Sequence, residues 1–190
     1  MSLYTLVHQF VTTAFSSEPA IIRHLERTEY WARTLRPNAD EALRCAAVAH
    51  DIERSEPNSE SNLVFRKRPF HDAQALRYHQ RRGAEIIGDY LTQQGVDKVQ
   101  IQRIQSLVAT HEVGGTADQN FIKDVDSLSF LENNLAYFVE KLIGSHGVTD
   151  VIAKFQWMHG RITDSTIRKL AQPYYLDAIA TLNSVQNAHP

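Results

Sequence analysis

The chain has 190 residues, of which 43% are hydrophobic and 22% charged, so it can bury an ordinary core without disulfides or repeats. Its formal net charge of −2, with nine histidines taken as neutral, argues against a general binder of nucleic acid or of an anionic membrane, which would carry a basic excess. The single cysteine, Cys45, excludes an internal disulfide, and there is neither a basic leader nor an apolar run of about 18 residues, so we expect a soluble, reducing, cytoplasmic setting.

Apolar residues recur at helical spacing through almost the whole chain, and the alternating runs with two-residue turns that mark β-hairpins are missing. The sequence therefore predicts an all-α fold, in a single domain that spans residues 1–190. The predicted helices, in chain order, are residues 3–15, 20–35, 40–52, 71–94, 98–111, 119–143, 149–160 and 164–186. Asp40 and Asp97 are the predicted N-caps of the third and fifth helices, and Gly95 ends the fourth.

One long stretch, residues 53–69, is predicted to be irregular because it is rich in Ser, Asn, Glu and Pro. A loop of that length in a compact domain is usually functional or mobile. It ends in a basic run, Arg66-Lys67-Arg68, directly before Pro69.

Four histidines and two aspartates lie on the apolar faces or at the ends of the predicted helices. His50 follows Ala46 and Ala47 by four and three residues, and Asp126 lies four residues before Phe130. Taken singly, each could be a hydrogen-bonded core residue. Together, imidazoles and carboxylates in one interior carry a desolvation cost that a divalent cation would offset. The predicted metal ligands are His24, His50, Asp51, His79, His111 and Asp126.

The order of these residues carries a resemblance to a known superfamily. His24, the dipeptide His50-Asp51 after an Ala-rich helix, and the distant Asp126 resemble the H…HD…D signature of the HD-domain superfamily of metal-dependent phosphohydrolases. This resemblance implies an all-α HD-domain bundle with a metal site in its core. Residues 20–135 would form the HD core, and the helices of residues 136–190 would pack on it.

A second such dipeptide, His71-Asp72, is interpreted differently. It begins a predicted helix, where Asp72 is a natural N-cap and His71 would be exposed. We therefore assign no metal to this pair.

The remaining two histidines extend the pattern to H…HD…H…H…D, which resembles the dinuclear branch of the superfamily and, in its order, HD-type diadenosine polyphosphate hydrolases. In that branch, one ion would be held by His24, His50, Asp51 and Asp126. Asp51 would bridge to a second ion, held by His79 and His111. Two ions are favoured over one. Nitrogen and carboxylate ligands without a thiolate fit Mn, Fe, Co, Ni or Zn, whereas Mg²⁺ would suit a site with fewer imidazoles.

Such a metal centre implies an enzyme. A bound divalent ion lowers the pKa of water and polarises a phosphoryl oxygen, so hydrolysis needs no side-chain nucleophile. The sequence has neither a P-loop nor a Gly-x-Ser-x-Gly elbow. We therefore expect metal-dependent hydrolysis of a phosphate ester or phosphoanhydride, in a small nucleotide-like substrate. The alternatives are a di-iron oxygenase of the HD superfamily and a non-catalytic HD module that senses a ligand.

Acidic neighbours of the ligands are candidates for proton transfer. Glu53 lies two residues after Asp51, the predicted bridging ligand, and Glu112 directly follows His111. Either glutamate could hydrogen-bond a metal-bound water. The alternative for both is a surface carboxylate, which we favour for Glu53.

Cations near the ligands are candidates for binding the phosphate oxygens. These candidates are Arg54, Arg66, Lys67, Arg68 and Arg82, with Arg81 as the competitor of Arg82. A solvated surface is the alternative for them, and Arg161 could also reach a substrate. The expected partner is a small phosphorylated molecule, with no nucleic acid polymer and no membrane. If the chain forms a homodimer, its last two helices are the place to look.

Overall fold

The fold is all-α, as the sequence predicts. The computed structural model describes residues 1–65 and 69–188, and within these ranges there is no strand and no helix both long and apolar enough to cross a bilayer. The α-helices are α1 (Leu3–Ala14), α2 (Pro19–Leu35), α3 (Glu41–Ala49), α4 (Glu60–Phe65), α5 (Ala73–Gln93), α6 (Lys98–Val108), α7 (Ala117–Asn133), α8 (Leu135–Tyr137), α9 (Ile143–His146), α10 (Val148–Gly160) and α11 (Ser165–Ala188). A 3₁₀ turn (Ile52–Ser55) follows α3, and a π-helical segment (Phe138–Leu142) separates α8 from α9.

Helix α3 is the central helix of the bundle. Its small side chains, Cys45, Ala46 and Ala47 among them, are fully buried. Helices α1, α2, α6 and α7 all pack against it, because small residues allow their backbones to come close. The carboxyl end of α3 therefore opens into the interior of the protein, and His50-Asp51 follows it there.

The third predicted helix is shorter than expected. Helix α3 ends at Ala49, and Asp51 has φ −96° and ψ 14°, outside the helical range. The His50 ring donates from Nδ1 to the carbonyl of Ala47 at 2.9 Å, which satisfies one of the carbonyls left free at a helix end. The turn that results directs His50 and Asp51 to different sides.

The prediction that residues 53–69 are irregular is wrong in part, because the 3₁₀ turn and α4 lie within this stretch. Ser59 caps α4: its Oγ accepts from the backbone N–H of Asn62 at 3.3 Å. Residues 66–68 lie outside the described residues.

Helix α7 begins earlier and ends earlier than predicted. Thr116 and Gln119 form a reciprocal capping box, a signal present in the sequence as Thr-x-x-Gln. The helix ends at Asn133, and the rest of the predicted 119–143 helix is divided into α8, the π segment and α9. The capping box sets the start of the helix that carries Asp126.

Helices α2 and α7 are joined by polar contacts at one end of their interface. Arg27 donates to both carboxylate oxygens of Glu132, at 3.0 and 2.7 Å, and the indole of Trp31 donates to the same group at 2.9 Å. One turn away, Ser129 Oγ donates to the carbonyl of His24 at 2.7 Å. These contacts hold His24 on α2 opposite the part of α7 that carries Asp126.

We expect Glu132→Gln to lower the free energy of unfolding by about 1–2 kcal/mol at neutral pH, since hydrogen bonds to a charged group are replaced by weaker ones. Burial opposes ionisation of Glu132, but the bonds from Arg27 and Trp31 outweigh it and hold the pKa below its usual value. The stability that the ionised Glu132 contributes is therefore fully present above the unfolded-state pKa of about 4.3. It is lost as the pH falls through the lower folded-state pKa.

Urea titration at neutral pH and near pH 3 measures both effects, with Glu26→Gln, at an exposed glutamate of α2, as the control. The difference in free energy of unfolding between Glu132→Gln and the unsubstituted chain should be smaller at the lower pH. A difference that is equal at both pH values would contradict the assignment.

Candidate metal centre

The six predicted ligands come from five separate elements and converge in the interior. His24 lies on α2, His50 and Asp51 follow α3, His79 lies on α5, His111 follows α6, and Asp126 lies on α7. The four histidines and Asp126 are buried, and the Asp51 side chain is 21% exposed. The structure therefore brings together all the residues that the sequence singled out as ligands.

A first group of ligand atoms surrounds one oxygen of Asp126. Its Oδ1 lies 3.2 Å from His24 Nε2 and 3.2 Å from His50 Nε2, and these two nitrogens are themselves 3.2 Å apart. Asp51 Oδ2 lies 3.9 Å from His50 Nε2. Two atoms that each bind one ion at about 2.1 Å are at most about 4.2 Å apart, so these distances fit a shared cation.

A second group surrounds the other oxygen of Asp51. Its Oδ1 lies 2.8 Å from His79 Nε2 and 3.8 Å from His111 Nε2. Asp51 thus belongs to two clusters that could each hold a metal ion, one with His24 and His50 and one with His79 and His111. One carboxylate that turns an oxygen to each cluster has the arrangement of a bridging ligand.

Hydrogen bonds to the far ring nitrogens orient all four imidazoles. His50 Nδ1 bonds to the Ala47 carbonyl, and His111 Nδ1 to the Val108 carbonyl at 2.8 Å. His79 Nδ1 bonds to Glu53 at 2.7 Å, and His24 Nδ1 to Ser129 Oγ at 3.1 Å. With the proton on Nδ1, each ring presents the Nε2 lone pair to the centre, which is the usual arrangement of metal-binding histidines.

This arrangement places lone pairs against one another. The Nε2 atoms of His24 and His50 face each other beside a carboxylate, and His111 Nε2 is buried without a hydrogen-bond partner among the described residues. Buried polar atoms are rarely unpaired, and facing lone pairs repel unless a proton or a metal ion lies between them. A cation at each cluster would satisfy these atoms, so the donor set fits divalent metal ions.

The electrostatics of the first cluster favour positive charge. Burial opposes protonation of His50, but Asp126 and Asp51 outweigh it and raise its pKa to about 9. At His111, burial together with the neighbouring His79 and His50 lowers the pKa to about 4. The carboxylates thus favour a cation at the first cluster, and His111 stays a neutral donor at the second.

The expectation that Glu53 is a surface carboxylate is wrong. Its side chain is 0% exposed, accepts from Ser61 Oγ at 2.6 Å and contacts His79 Nδ1. Glu53 does not line the cavity beside the ligands. Its contacts are those of a group that orients His79, rather than of a proton shuttle to bound water.

Glu112 is also buried, and it pairs with Arg161. The guanidinium of Arg161 donates to Glu112, to Asp126 Oδ2 and, at 2.7 Å, to Ser127 Oγ. Arg161 therefore binds Oδ2 of Asp126, whereas Oδ1 is the oxygen near His24 and His50. Sequence reasoning suggested only that Arg161 could reach a substrate, and its role beside a ligand was missed.

Helix α7 also anchors the turn that follows Arg161. The buried Asp124 carboxylate accepts from the backbone N–H groups of Thr163 and Asp164, at 3.0 and 2.7 Å, and from Thr163 Oγ1 at 2.8 Å. Asp124 lies two residues before Asp126, so one helix carries both a ligand and the anchor of its arginine.

A cavity of about 370 Å³ opens beside the ligands. His24, Asp51 and Asp126 line one part of it, together with the cations Arg54, Lys154 and Arg161. Aromatic side chains line it as well, among them Phe65, Phe70, Phe130 and Phe138. A small molecule in this cavity would contact the candidate metal centre, positive charge and aromatic rings at once.

The predicted phosphate-binding cations divide into three groups. Arg54 lines the cavity, and its Nε lies 3.9 Å from Asp51 Oδ1. Arg82 does not line it: its guanidinium pairs with Glu56 at 2.7 Å in a separate, open depression, and Arg81 pairs with Glu85. The predicted residues Arg66, Lys67 and Arg68 lie outside the part of the chain that the structure describes.

Lys154 is the cavity cation that sequence reasoning missed. It lies on α10 with Val151, Phe155 and Met158, at the i, i+3, i+4 and i+7 spacing of a buried helix face, and all four residues are buried. A lysine within such an apolar stripe is a signal that could have been read from the sequence.

Together, the fold and the site define an all-α protein with a candidate dinuclear metal centre at the base of a small cavity. The model of the family described as "Domain of unknown function (DUF4202)" matches residues 9–171, a range that contains all six candidate ligands, and the chain belongs to this family. No curated protein and no solved structure is significantly similar to the chain.

Proposed function

We propose that this protein is a metal-dependent phosphohydrolase of the HD-domain type, which hydrolyses a phosphate ester or phosphoanhydride of a small molecule. The observation that carries the proposal is the Asp51 carboxylate, which turns one oxygen to each of two imidazole clusters at the base of a cavity lined by cations. The resemblance to the H…HD…H…H…D pattern supports the same assignment.

The chain supplies ligands for two ions. His24, His50, Asp51 and Asp126 would hold one ion, and Asp51, His79 and His111 would hold the other. A divalent ion in such a site lowers the pKa of water and polarises a phosphoryl oxygen.

The residues around the ligands support this chemistry by position and charge. Glu53 orients the ring of His79, and Arg161 holds Asp126 with Oδ1 directed at the first cluster. Burial opposes ionisation of Glu112, but Arg161 and His111 hold its pKa well below the usual range, so Glu112 is an acceptor and not an acid near neutral pH. Arg54 is placed to contact phosphate oxygens at the open side of Asp51.

A phosphate-release screen tests the proposal. The purified chain is stripped with a chelator, loaded separately with Mn²⁺, Fe²⁺, Co²⁺, Ni²⁺ or Zn²⁺, and offered nucleoside monophosphates, nucleoside diphosphates and aryl phosphates. We expect release with at least one metal and none in the stripped chain. Turnover absent under every condition would contradict the proposal. Iron-dependent oxygen consumption in its place would favour the oxygenase, and nucleotide binding alone would favour the sensing module.

A further inference from the structure

Lys154 is a buried cation that forms no direct ion pair or hydrogen bond with the described residues, although the carboxylates of Glu112 and Asp126 act on it from a longer distance. Its residue is 7% exposed, and among the described residues its Nζ contacts only aromatic rings, those of Trp157 at 4.5 Å and Phe130 at 5.4 Å. Lysine is rarely buried unless it is paired. The fold offsets the cost of burying this ammonium group only through these rings and distant carboxylates, and leaves its hydrogen-bond donors unused.

The other two cations of the cavity already have partners. Arg161 is bound to Glu112 and Asp126, and Arg54 lies near Asp51 and donates to Asn62 at 3.4 Å. Lys154 is thus the cavity cation whose hydrogen-bond donors are available to a ligand, and it lines the same cavity as Asp51.

The aromatic residues that line the cavity indicate which chemical group the ligand carries besides its negative charge. The rings of Phe70 and Phe130 lie 5.4 and 5.2 Å from that of Phe138 and form one aromatic wall. Pockets for small molecules have volumes of roughly 300–1,000 Å³, so a cavity of about 370 Å³ is at the small end. Its size and its aromatic lining suit one compact ligand with a flat apolar group.

We propose that Lys154 is a specificity-determining residue, which selects a doubly charged phosphate group on a compact molecule whose flat apolar group packs on the phenylalanine wall. This inference rests on the proposed function, because it takes the metal centre as the place where the phosphate is held. Lys154 would then donate to an oxygen that does not react, while the ions hold the others.

The opposite explanation is structural: the ammonium group stabilises the fold by its contacts with Trp157 and Phe130. The two explanations predict opposite changes in Tm when the charge is removed. Lys154→Met keeps the length of the side chain and removes the charge, and Lys169→Met, at an exposed lysine of α11, is the matched control.

The experiment measures binding by calorimetry to the metal-loaded protein, with phenylphosphonate as the probe. Two comparison ligands are used: the monomethyl ester of phenylphosphonate, which carries one charge fewer, and methylphosphonate, which lacks the ring. We expect the unsubstituted protein to prefer phenylphosphonate over both. Lys154→Met should weaken phenylphosphonate binding by about 10- to 100-fold, the loss expected for a charge-assisted hydrogen bond. It should also remove the preference over the methyl ester and raise Tm by about 2–4 °C, while Lys169→Met changes neither.

Unchanged affinity in Lys154→Met, or a lower Tm with the preference for two charges retained, would overturn the inference. These results are separable from the proposed function. Lysine-dependent phosphonate binding without phosphate release would contradict hydrolysis and leave the binding subsite standing. Phosphate release that is insensitive to Lys154→Met would support hydrolysis and contradict the binding subsite.

Discussion

Replacement of Asp51 by asparagine is expected to remove metal binding and hydrolysis together. The amide presents one neutral oxygen in place of two charged ones, so it cannot bridge the cluster of His24 and His50 to that of His79 and His111. Metal ions supply several kcal/mol of transition-state stabilisation, and about 4 kcal/mol corresponds to roughly a 10³-fold change in rate. We therefore expect kcat/KM to fall by about 10³-fold or more, with metal content below one ion per chain.

The measurement combines elemental analysis after metal loading with phosphate release from the best substrate of the screen. Asp89→Asn, at an exposed aspartate of α5, is the matched control and should retain both metal and activity. An Asp51→Asn protein that hydrolyses phosphate at the unsubstituted rate, or that keeps two ions, would refute the bridging assignment.

Replacement of His79 by alanine is expected to remove one ion of two. His79 Nε2 lies 2.8 Å from Asp51 Oδ1, on the side of Asp51 that faces away from His24 and His50. The first cluster keeps all four of its ligands, His24, His50, Asp51 and Asp126, so its ion should remain. We expect metal content to fall from two ions per chain to one, and kcat to fall by about 10²-fold or more because a single ion no longer stabilises both the attacking and the leaving oxygen.

His79→Ala leaves the buried Glu53 without its histidine partner, so His111→Ala serves as a second variant at the same cluster. His111 contacts only a backbone carbonyl through Nδ1, and the carboxylate 3.7 Å from its Nε2, that of Glu112, keeps its pairing with Arg161 when the ring is removed. Both variants should bind one ion, and His8→Ala, at a surface histidine paired with Glu26, should bind two. One ion in the unsubstituted chain, retained in both cluster variants, would show that the centre is mononuclear.

Much of the fold could be predicted because helical periodicity is a local property of the sequence. The predicted helix over residues 20–35 differs from α2 by one residue, and Asp72 caps α5 as expected, with His71 exposed. The errors fall where capping decides the outcome. Ser59 starts a short helix inside a stretch that composition alone marks as irregular, and the chain turns at Asn134 within a continuous apolar pattern.

Which side chains converge in the interior could be predicted, but their arrangement could not. Histidines and aspartates on apolar faces indicate that these side chains point inward, which the structure confirms for His24 and Asp126. That Asp51 turns its two oxygens to different clusters depends on the turn after α3, a tertiary feature. Likewise, no local pattern relates Arg161 to Asp126, which is 35 residues away and on another helix.

Charged residues were the least predictable part of the site. The usual preference of Glu and Lys for the surface led to a surface assignment for Glu53, and Lys154 was overlooked for the same reason. Both are buried, Glu53 by its bonds to His79 and Ser61, and Lys154 in the wall of the cavity.

The most direct test of a metal centre in this protein is anomalous diffraction from crystals of the purified chain loaded with Mn²⁺ or Zn²⁺ and measured at the absorption edge of the metal. Two peaks are expected, one bounded by His24, His50 and Asp126 and one by His79 and His111, with Asp51 between them. Anomalous density confined to surface carboxylates, or absent from both clusters in fully loaded crystals, would contradict the proposed metal centre.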